Sequence, residues 1–329
     1  MSETCILVTG GAGYIGAQMA LALADAGYRP ILLDDFSTGH RRTPPGLPVI
    51  EGDIADAGVV DTLLAAHRPA GILHFAAFSQ AGQSVREPAL YYQRNVVRSL
   101  ALLDAVRRAP AMPAFVFSST AAVYGEPRAV PIPEDHPCRP VNPYGATKLA
   151  VEGALAAYGD AYGLRWAALR YFNAAGADPQ GRAGECHDPE THLIPLALQA
   201  AASGTPLTLF GRDYDTPDGT CLRDYVHVAD LCRAHLLALE ALLRGEPVGA
   251  VNLGGGEGRS VLEVIAAVER ATGLPVPVQD GPRRPGDPAR LVADVARARG
   301  ILGWEPALSD LDTMIRHAWA WERKRRGPA

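Results

Sequence analysis

No apolar run in this chain approaches the roughly 20 residues that a membrane-spanning helix requires, so a bilayer-embedded protein is not expected. Met1 to Thr9 has no basic region ahead of an apolar stretch and no small-residue cleavage site, and no export signal is expected there. Paired cysteines are also lacking: Cys5, Cys138, Cys186, Cys221 and Cys232 are scattered, odd in number, and show no metal-ligand spacing. Such scatter argues against a disulfide framework and fits reduced thiols in the cytoplasm. Cys186, His187 and His192 lie near one another but match no common site, so no metal is expected. Excess positive charge is missing too. A formal charge of -5 disfavours a nucleic-acid or acidic-membrane partner, which would favour a basic surface. Internal repeats and low-complexity tracts are absent. These exclusions leave a globular protein that acts on a small molecule.

What is present is ordinary in amount and specific in order. Of 329 residues, 48% are hydrophobic and 20% charged, enough for a large core divided between two lobes. Cys5 to Thr9, Ile31 to Asp34, Val49 to Glu51, Gly71 to Ala76, Ala114 to Ser118 and Trp166 to Tyr171 read as buried strands, with amphipathic stretches between most of them. That alternation predicts an α/β fold, a doubly wound parallel sheet of Rossmann-like type, over residues 1–173. Beyond Asn173 the order gives way to Gly- and Asp-rich loops, which predicts a smaller mixed α/β substrate lobe over 174–329. Val226 to Leu239 reads as a strand turning into a helix, and predicts a return to the first lobe over about 226–250.

Thr9 to Gly16 runs T-G-G-A-G-Y-I-G, directly after the first strand and into a helix reaching about Ala26. Gly10, Gly13 and Gly16 permit a tight turn, and the helix N-terminus offers N–H groups and positive potential to a diphosphate. The second strand ends in Asp34-Asp35, 18 residues beyond Gly16. A carboxylate there accepts from an adenosine ribose and repels a 2'-phosphate, which predicts NAD. Arg41 and Arg42 leave an opening for NADP, though they follow a turn and read as solvated. Asp53, in Gly52-Asp53-Ile54, reads either as a neighbour of the adenine amine or as an N-cap of the next helix.

The passage from Pro127 to Pro143, with Pro131, Pro133, Pro137 and Pro140, excludes regular helix and predicts a long loop leading into a site. At its end stands Tyr144-Gly145-Ala146-Thr147-Lys148, a phenol and an ammonium four apart on one helical face. A nearby ammonium favours the charged form of a phenol, so Tyr144 is a candidate proton-transfer group. Phe117-Ser118-Ser119-Thr120 ends a strand, and ligands of open parallel sheets collect at such ends. Thr120 is therefore expected to orient a substrate hydroxyl, Tyr144 to exchange its proton, and Lys148 to lower the phenol and hold the cofactor ribose.

Together these residues resemble the extended short-chain dehydrogenase/reductase superfamily, and within it most closely the UDP-glucose 4-epimerase family. The likeness runs through Thr9 to Gly16, His74-Phe75-Ala76-Ala77, Tyr91-Tyr92 with Asn95, Phe117 to Gly125, Asn142 to Lys148, and Arg170-Tyr171-Phe172-Asn173. It continues through Gly219 to Val228, Asn252-Leu253-Gly254 and Arg283-Arg284-Pro285-Gly286-Asp287, so it covers nearly the whole chain. It implies reversible oxidation at C4 of a UDP-hexose by tightly held NAD. It adds Tyr14, Ile15, Ile54, Phe75, Ala76, Ala77, Ser79, Asn95 and Phe172 to the cofactor set. It implies Asn173, His192, Leu193, Thr208, Leu209, Phe210, Arg223, Arg284, Asp287 and Leu291 as the UDP-sugar set.

Three departures bear on that transfer. Ser79 stands where many members carry a cofactor-contacting lysine, and His192 where asparagine is frequent. Leu291 stands where some members have a bulky tyrosine, which leaves room for a 2-acetamido group. A 4,6-dehydratase is disfavoured because Ala121-Ala122, rather than an Asp-Glu pair, follow Thr120. A UDP-uronate or UDP-pentose 4-epimerase stays open, as does a dehydrogenase that releases NADH. A noncatalytic dinucleotide-binding sensor is the reading from a different class. The resemblance also implies a homodimer through Tyr91 to Arg107 and Tyr144 to Tyr162, where Ala146, Ala150, Gly153, Ala154 and Ala157 permit close approach or, equally, packing on the sheet.

Overall fold

The computed structural model of the chain describes residues 4–38, 44, 46–284 and 287–326. Its strands in chain order are β1 (Cys5–Thr9), β2 (Arg29–Asp34), β3 (Val49–Glu51), β4 (Gly71–His74), β5 (Ala114–Thr120), β6 (Trp166–Tyr171) and β7 (Asn173–Ala175). There follow β8 (Leu207–Phe210), β9 (Leu222–His227), β10 (Gly249–Leu253), β11 (Gly258–Ser260), β12 (Val278–Gly281) and β13 (Arg290–Leu291).

Seven of these form one sheet in the order β10-β6-β5-β4-β1-β2-β3, every neighbouring pair parallel. The sequences explain why. β1, β4 and β5 are buried along their full length, as strands covered by helices on both faces must be. One face carries the cluster that includes Ile6, Val8, Met19, Leu23, Val116 and Leu239, and the other the cluster with Leu7, Ile72, Leu103, Phe115, Val151 and Leu155. A parallel sheet brings its C-terminal strand ends to one edge. Thr9, Asp34, His74 and Thr120 accordingly end β1, β2, β4 and β5 on that edge.

The return to this sheet is longer than the sequence pattern suggests. The helix Val228–Leu243 packs on it, and β10 then pairs in register with β6, Leu253 beside Tyr171. A second return was not legible at all: Ala293, Val295, Ala298, Leu302 and the fully buried Trp304 join the same cluster. The Trp304 indole N–H is satisfied by the Asp230 carbonyl oxygen at 2.9 Å.

The remaining elements build a smaller lobe. β9 pairs with β7 and β13 in parallel and with β11 in antiparallel fashion, and β8 pairs with β12. Its own core gathers Ile194, Leu198, Leu209, Tyr225, Val264, Val268, Met314 and Ile315. The helix Val261–Thr272 begins at a capping box, with Ser260 and Glu263 bonding reciprocally, and ends at Gly273 in left-handed conformation. Arg41 and Arg42 lie outside the described residues.

Candidate active site

The helix Pro143–Tyr162 presents the phenol and the amine, and its first turn is tightly specified. Pro143 occupies the first turn, where a missing N–H is harmless. Asn142 caps the end by accepting from Gly145 N at 2.9 Å, and Tyr144 N donates to Ser84 Oγ at 3.1 Å. Gly145 admits no side chain, since a Cβ would stand 2.4 Å from the Ala122 carbonyl oxygen. That contact sets the helix start against the end of β5, where Thr120 Oγ1 accepts from Ala122 N. The Thr120 hydroxyl lies close enough to the Tyr144 phenol to favour its ionised form.

Lys148 is buried and donates to the Ser118 carbonyl oxygen at 2.8 Å, with its Nζ 4.8 Å from the Phe117 ring centroid. Burial pushes its amine down to about 7, and the Glu152 carboxylate acts in the other direction. The Tyr144 phenol is pushed up by burial, while the neighbouring Thr120 hydroxyl works against that shift. Lys148 Nζ lies 6.0 Å from the Tyr144 ring centroid while it donates to Ser118.

Below this trio lies an ion pair that sequence reasoning missed. Arg170 on β6 meets Glu152 through contacts of 2.6, 3.0 and 3.2 Å, both side chains being less than a tenth exposed. Ser119 donates to the same carboxylate, and Arg170 also donates to Tyr124 and the Glu134 carbonyl oxygen. Glu152 follows Lys148 by four residues, so the spacing that marks the Tyr144 and Lys148 pair would have found it.

The glycine loop beside this site is a cradle with no room for side chains. A Cβ on Gly10, whose φ is +72°, would lie 2.6 Å from Ala76 N, and one on Gly16 would lie 2.0 Å from the Gly10 carbonyl oxygen. Gly13 caps the following helix Tyr14–Asp25 without a side-chain bond, which leaves N–H groups for an anion. Asp34 reaches back to this loop: its two oxygens accept from Ala12 N at 2.9 Å and Phe36 N at 2.8 Å. Burial raises its carboxyl, and those two N–H donors oppose the rise.

From Asp34 a cleft of about 440 Å³, its open mouth included, runs past Asp35, Asp53, Ile54, Ala76 and Ala77. The diphosphate cradle, the acidic strand end and this adjoining cleft fit a dinucleotide. Asp53 does line the cleft, but it pairs with Arg98 at 2.8 Å and accepts from Ala55 N. Its reading as an N-cap is corrected by the structure: Asp56 caps that helix, accepting from Gly58 N and Val59 N. Arg94 and Arg98, which both grip Asp35 at 2.9 Å, line the cleft with Ser37, Thr38 and Phe78. None of these five was anticipated. Arg94 and Arg98 repeat the four-residue helical spacing.

Other cofactor candidates act on the frame. Asn95 is buried, with its amide tied to both backbone groups of Phe78 and to Thr147 Oγ1. Tyr14 donates to the Gly176 carbonyl oxygen at 2.7 Å, linking the glycine loop to the smaller lobe. Ile15, Phe75 and Phe172 pack on the large core, and Ser79 is exposed.

In the smaller lobe Arg223 pairs with Asp287 and donates to the Pro288 carbonyl oxygen, while the Arg284 guanidinium lies 4.0 Å over the Phe210 ring. Leu209 points into that lobe's core, 1% exposed, so its side chain cannot face a base. Thr208 accepts from Gln279, and Leu193 packs at the edge of the core. Asn173 opens β7 opposite Tyr225. Leu291 packs beside Ala121, Val123, Tyr124 and Phe172, close to the end of β5. His192 joins Glu185, His187 and Glu190, whose ligand atoms lie within 4.8 Å of one another. Cys186 lies outside this group, near enough to Arg325 to interact with it electrostatically.

Comparison with known proteins agrees with this geometry. The sequence profile of the NAD dependent epimerase/dehydratase family matches residues 6–254. The chain is 52% identical over 326 residues to a UDP-glucose 4-epimerase of Rhizobium leguminosarum bv. trifolii, covering 98% of this chain and 99% of the relative. It superposes on the UDP-glucose 4-epimerase of Brucella ovis in complex with NAD with a TM-score of 0.93, at 49% identity and covering 96% and 98% of the two chains. The enzyme of Bifidobacterium longum in complex with NAD+ and UDP gives a TM-score of 0.92 at 36% identity, covering 98% and 99%.

Proposed function

We propose the following roles from the premise that this chain belongs to the NAD dependent epimerase/dehydratase family. Its activity is the NAD-dependent interconversion of UDP-glucose and UDP-galactose. The observation that carries the assignment of roles is the meeting of Thr120, Tyr144 and Lys148 at the end of β5, beside the glycine cradle.

When bound, NAD supplies the hydride acceptor and donor of the cycle, and its positive ring favours a phenolate nearby. Gly10, Gly13 and Gly16 would hold its diphosphate, Asp34 its ribose, and the cleft from Asp35 to Ala77 its adenosine. Thr120 orients the sugar 4-hydroxyl. Tyr144 takes that proton and returns it when the 4-keto sugar is reduced on its opposite face. Lys148 would sit beside the ribose, and the Glu152 carboxylate favours its protonated form. Phe210, Arg223, Arg284 and Asp287 would anchor UDP, with Arg284 moving off the Phe210 face to admit uracil. Firm anchoring of UDP with few contacts to the hexose leaves the sugar free to turn over.

The small side chain of Leu291 near Thr120 supports acceptance of UDP-GlcNAc and UDP-GalNAc as well. We further propose a cytoplasmic homodimer. Along the helix Pro143–Tyr162, Ala150, Gly153, Ala157 and Tyr162 are exposed, and so are Tyr92 and Val97 on the π-helical turn Tyr92–Val97. Ala154 instead packs on the sheet. Among the described residues no helix is long and apolar enough to cross a membrane. The test is product analysis after incubation with UDP-Glc, UDP-Gal, UDP-GlcNAc, UDP-GalNAc and UDP-GlcA, without added cofactor. Interconversion of the first pair is expected, and stoichiometric NADH accumulation would point instead to a dehydrogenase.

A further inference from the structure

The loop from Glu185 to His192 brings together four side chains that the catalytic roles leave largely unexplained. Glu185 and Glu190 carry carboxylates only 8% and 7% exposed. Among the described residues, their only ion-pair partners are the imidazoles of His187 and His192. Buried carboxylates normally face a guanidinium, an ammonium or a metal ion. Here both histidines turn the same nitrogen, Nδ1, toward the carboxylate pair. The four nitrogen-to-oxygen separations are 2.7, 3.1, 3.3 and 3.7 Å.

We propose that Glu185, His187, Glu190 and His192 form a binding site for one divalent transition-metal ion, with zinc the best match. A tetrahedral ion with bonds of about 2.0–2.2 Å has ligand-to-ligand edges of roughly 3.3–3.6 Å; the histidine-to-carboxylate separations fall on either side of that range, Glu190 offering Oε2 to His187 and Oε1 to His192, and all four side chains bring a ligand atom within 4.8 Å of the others. Two imidazoles and two carboxylates are a donor set suited to zinc and its neighbours. Calcium and magnesium prefer six or more oxygens. Two carboxylates also neutralise a dication, so the loaded site carries no net charge. His192 is nearly half exposed, which gives an ion a path from solvent.

The surroundings hold the ligands in place. Glu190 accepts from Thr191 N at 2.7 Å and from His192 N at 2.9 Å, fixing its carboxylate. The Trp321 indole donates to the Glu185 carbonyl oxygen at 2.9 Å and covers Gly184, where a Cβ would meet the ring at 2.4 Å. His187 stands edge-on to Tyr14, whose centroid is 6.4 Å away. The ion would therefore staple a loop that touches the glycine cradle on one side and opens the helix Leu193–Ser203 on the other. Its role is structural, and the Nε2 of His192 remains the nitrogen that can face a diphosphate.

The test uses tag-free holoenzyme, treated with a chelator and desalted. Zinc is titrated by calorimetry, and cobalt is followed by visible absorption as a probe of four-coordinate geometry. One ion per chain is expected, with a rise in melting temperature. His187→Ala and Glu190→Gln should each weaken uptake at least about ten-fold, the lower end of what even supporting residues of metal sites produce. Cys186→Ser, in the same loop but outside the cluster, should bind like wild type. Retained NAD absorbance identifies variants that are still folded, and Glu190→Gln, which keeps the size of the side chain, is decisive if His187→Ala is not. Absence of saturable uptake by wild type, or uptake unchanged in the folded variants, overturns the proposal. Neither result depends on UDP-sugar turnover, so both are separable from a failure of the epimerase roles.

Discussion

Glu152→Gln separates the structural and chemical consequences of the buried network beneath the active site. The carboxylate meets Arg170 through three contacts between 2.6 and 3.2 Å, and both side chains are less than a tenth exposed. The small value of a surface pair therefore does not apply. Removing one member of a buried pair strands the other charge and typically costs about 3–5 kcal/mol. Glutamine still offers one acceptor oxygen, and Arg170 keeps Tyr124 and the Glu134 carbonyl oxygen, so the lower end, about 3 kcal/mol, is expected.

The chemical consequence concerns Lys148, whose amine burial has pushed down to about 7 and Glu152 holds up. Loss of the negative charge lowers it further, so a smaller fraction is protonated at neutral pH. If the ammonium is the working form, turnover at pH 7 falls and recovers as the pH is lowered. The basic limb of the kcat/KM profile thus moves toward acid. Denaturant titration of the holoenzyme reads the first effect and a pH–rate series the second. The double change Glu152→Leu with Arg170→Met removes both charges and should recover most of the stability, since well-packed apolar replacements of buried pairs are often neutral or better. A loss under about 1 kcal/mol together with a superimposable pH profile would refute the reasoning.

Three further outcomes follow from the geometry. Gly16→Ala would place a Cβ 2.0 Å from the Gly10 carbonyl oxygen, so the cradle must open; the purified variant should lose bound NAD, read from the absorbance of released nucleotide, and full occupancy would count against the cradle. Leu291→Tyr should suppress turnover of UDP-GlcNAc at least about ten-fold relative to UDP-glucose, as a steric change to one pocket wall does, and an unchanged ratio removes Leu291 from substrate selection. Ala157→Arg puts charge on the exposed small-residue face and should yield monomers by sedimentation if that face joins two subunits; a particle of wild-type size would argue for a different interface.

The large sheet was legible because its strands are short apolar runs punctuated by glycine and proline, a pattern that survives without tertiary information. The placement of Thr120 at a strand end and of Tyr144 and Lys148 on one helix was legible because helical spacing and strand ends are local properties. The second return through Ala293 to Trp304 was not, since its apolar residues reach the core only through long-range packing. Arg94 and Arg98 failed for the related reason that their partners, Asp35 and Asp53, lie far away in the chain. The smaller lobe's UDP-sugar residues were read by resemblance, and Leu209 shows the limit of that route: its side chain serves the core. The cluster at Glu185 to His192 was not legible because its spacing matches no common motif and the carboxylates that complete it carry no signal until the loop folds.

The central claim is that one phenol moves the proton in both halves of the reaction. Tyr144→Phe leaves the ring and its packing in place and removes only the hydroxyl beside Thr120. The measurement is UDP-galactose formed from UDP-glucose by the purified variant, with bound NAD and UDP affinity determined on the same preparation. A fall of about 100-fold to 10,000-fold in turnover, with both ligands retained, is the outcome predicted for loss of a general acid–base group. Turnover close to that of the wild type would contradict the account.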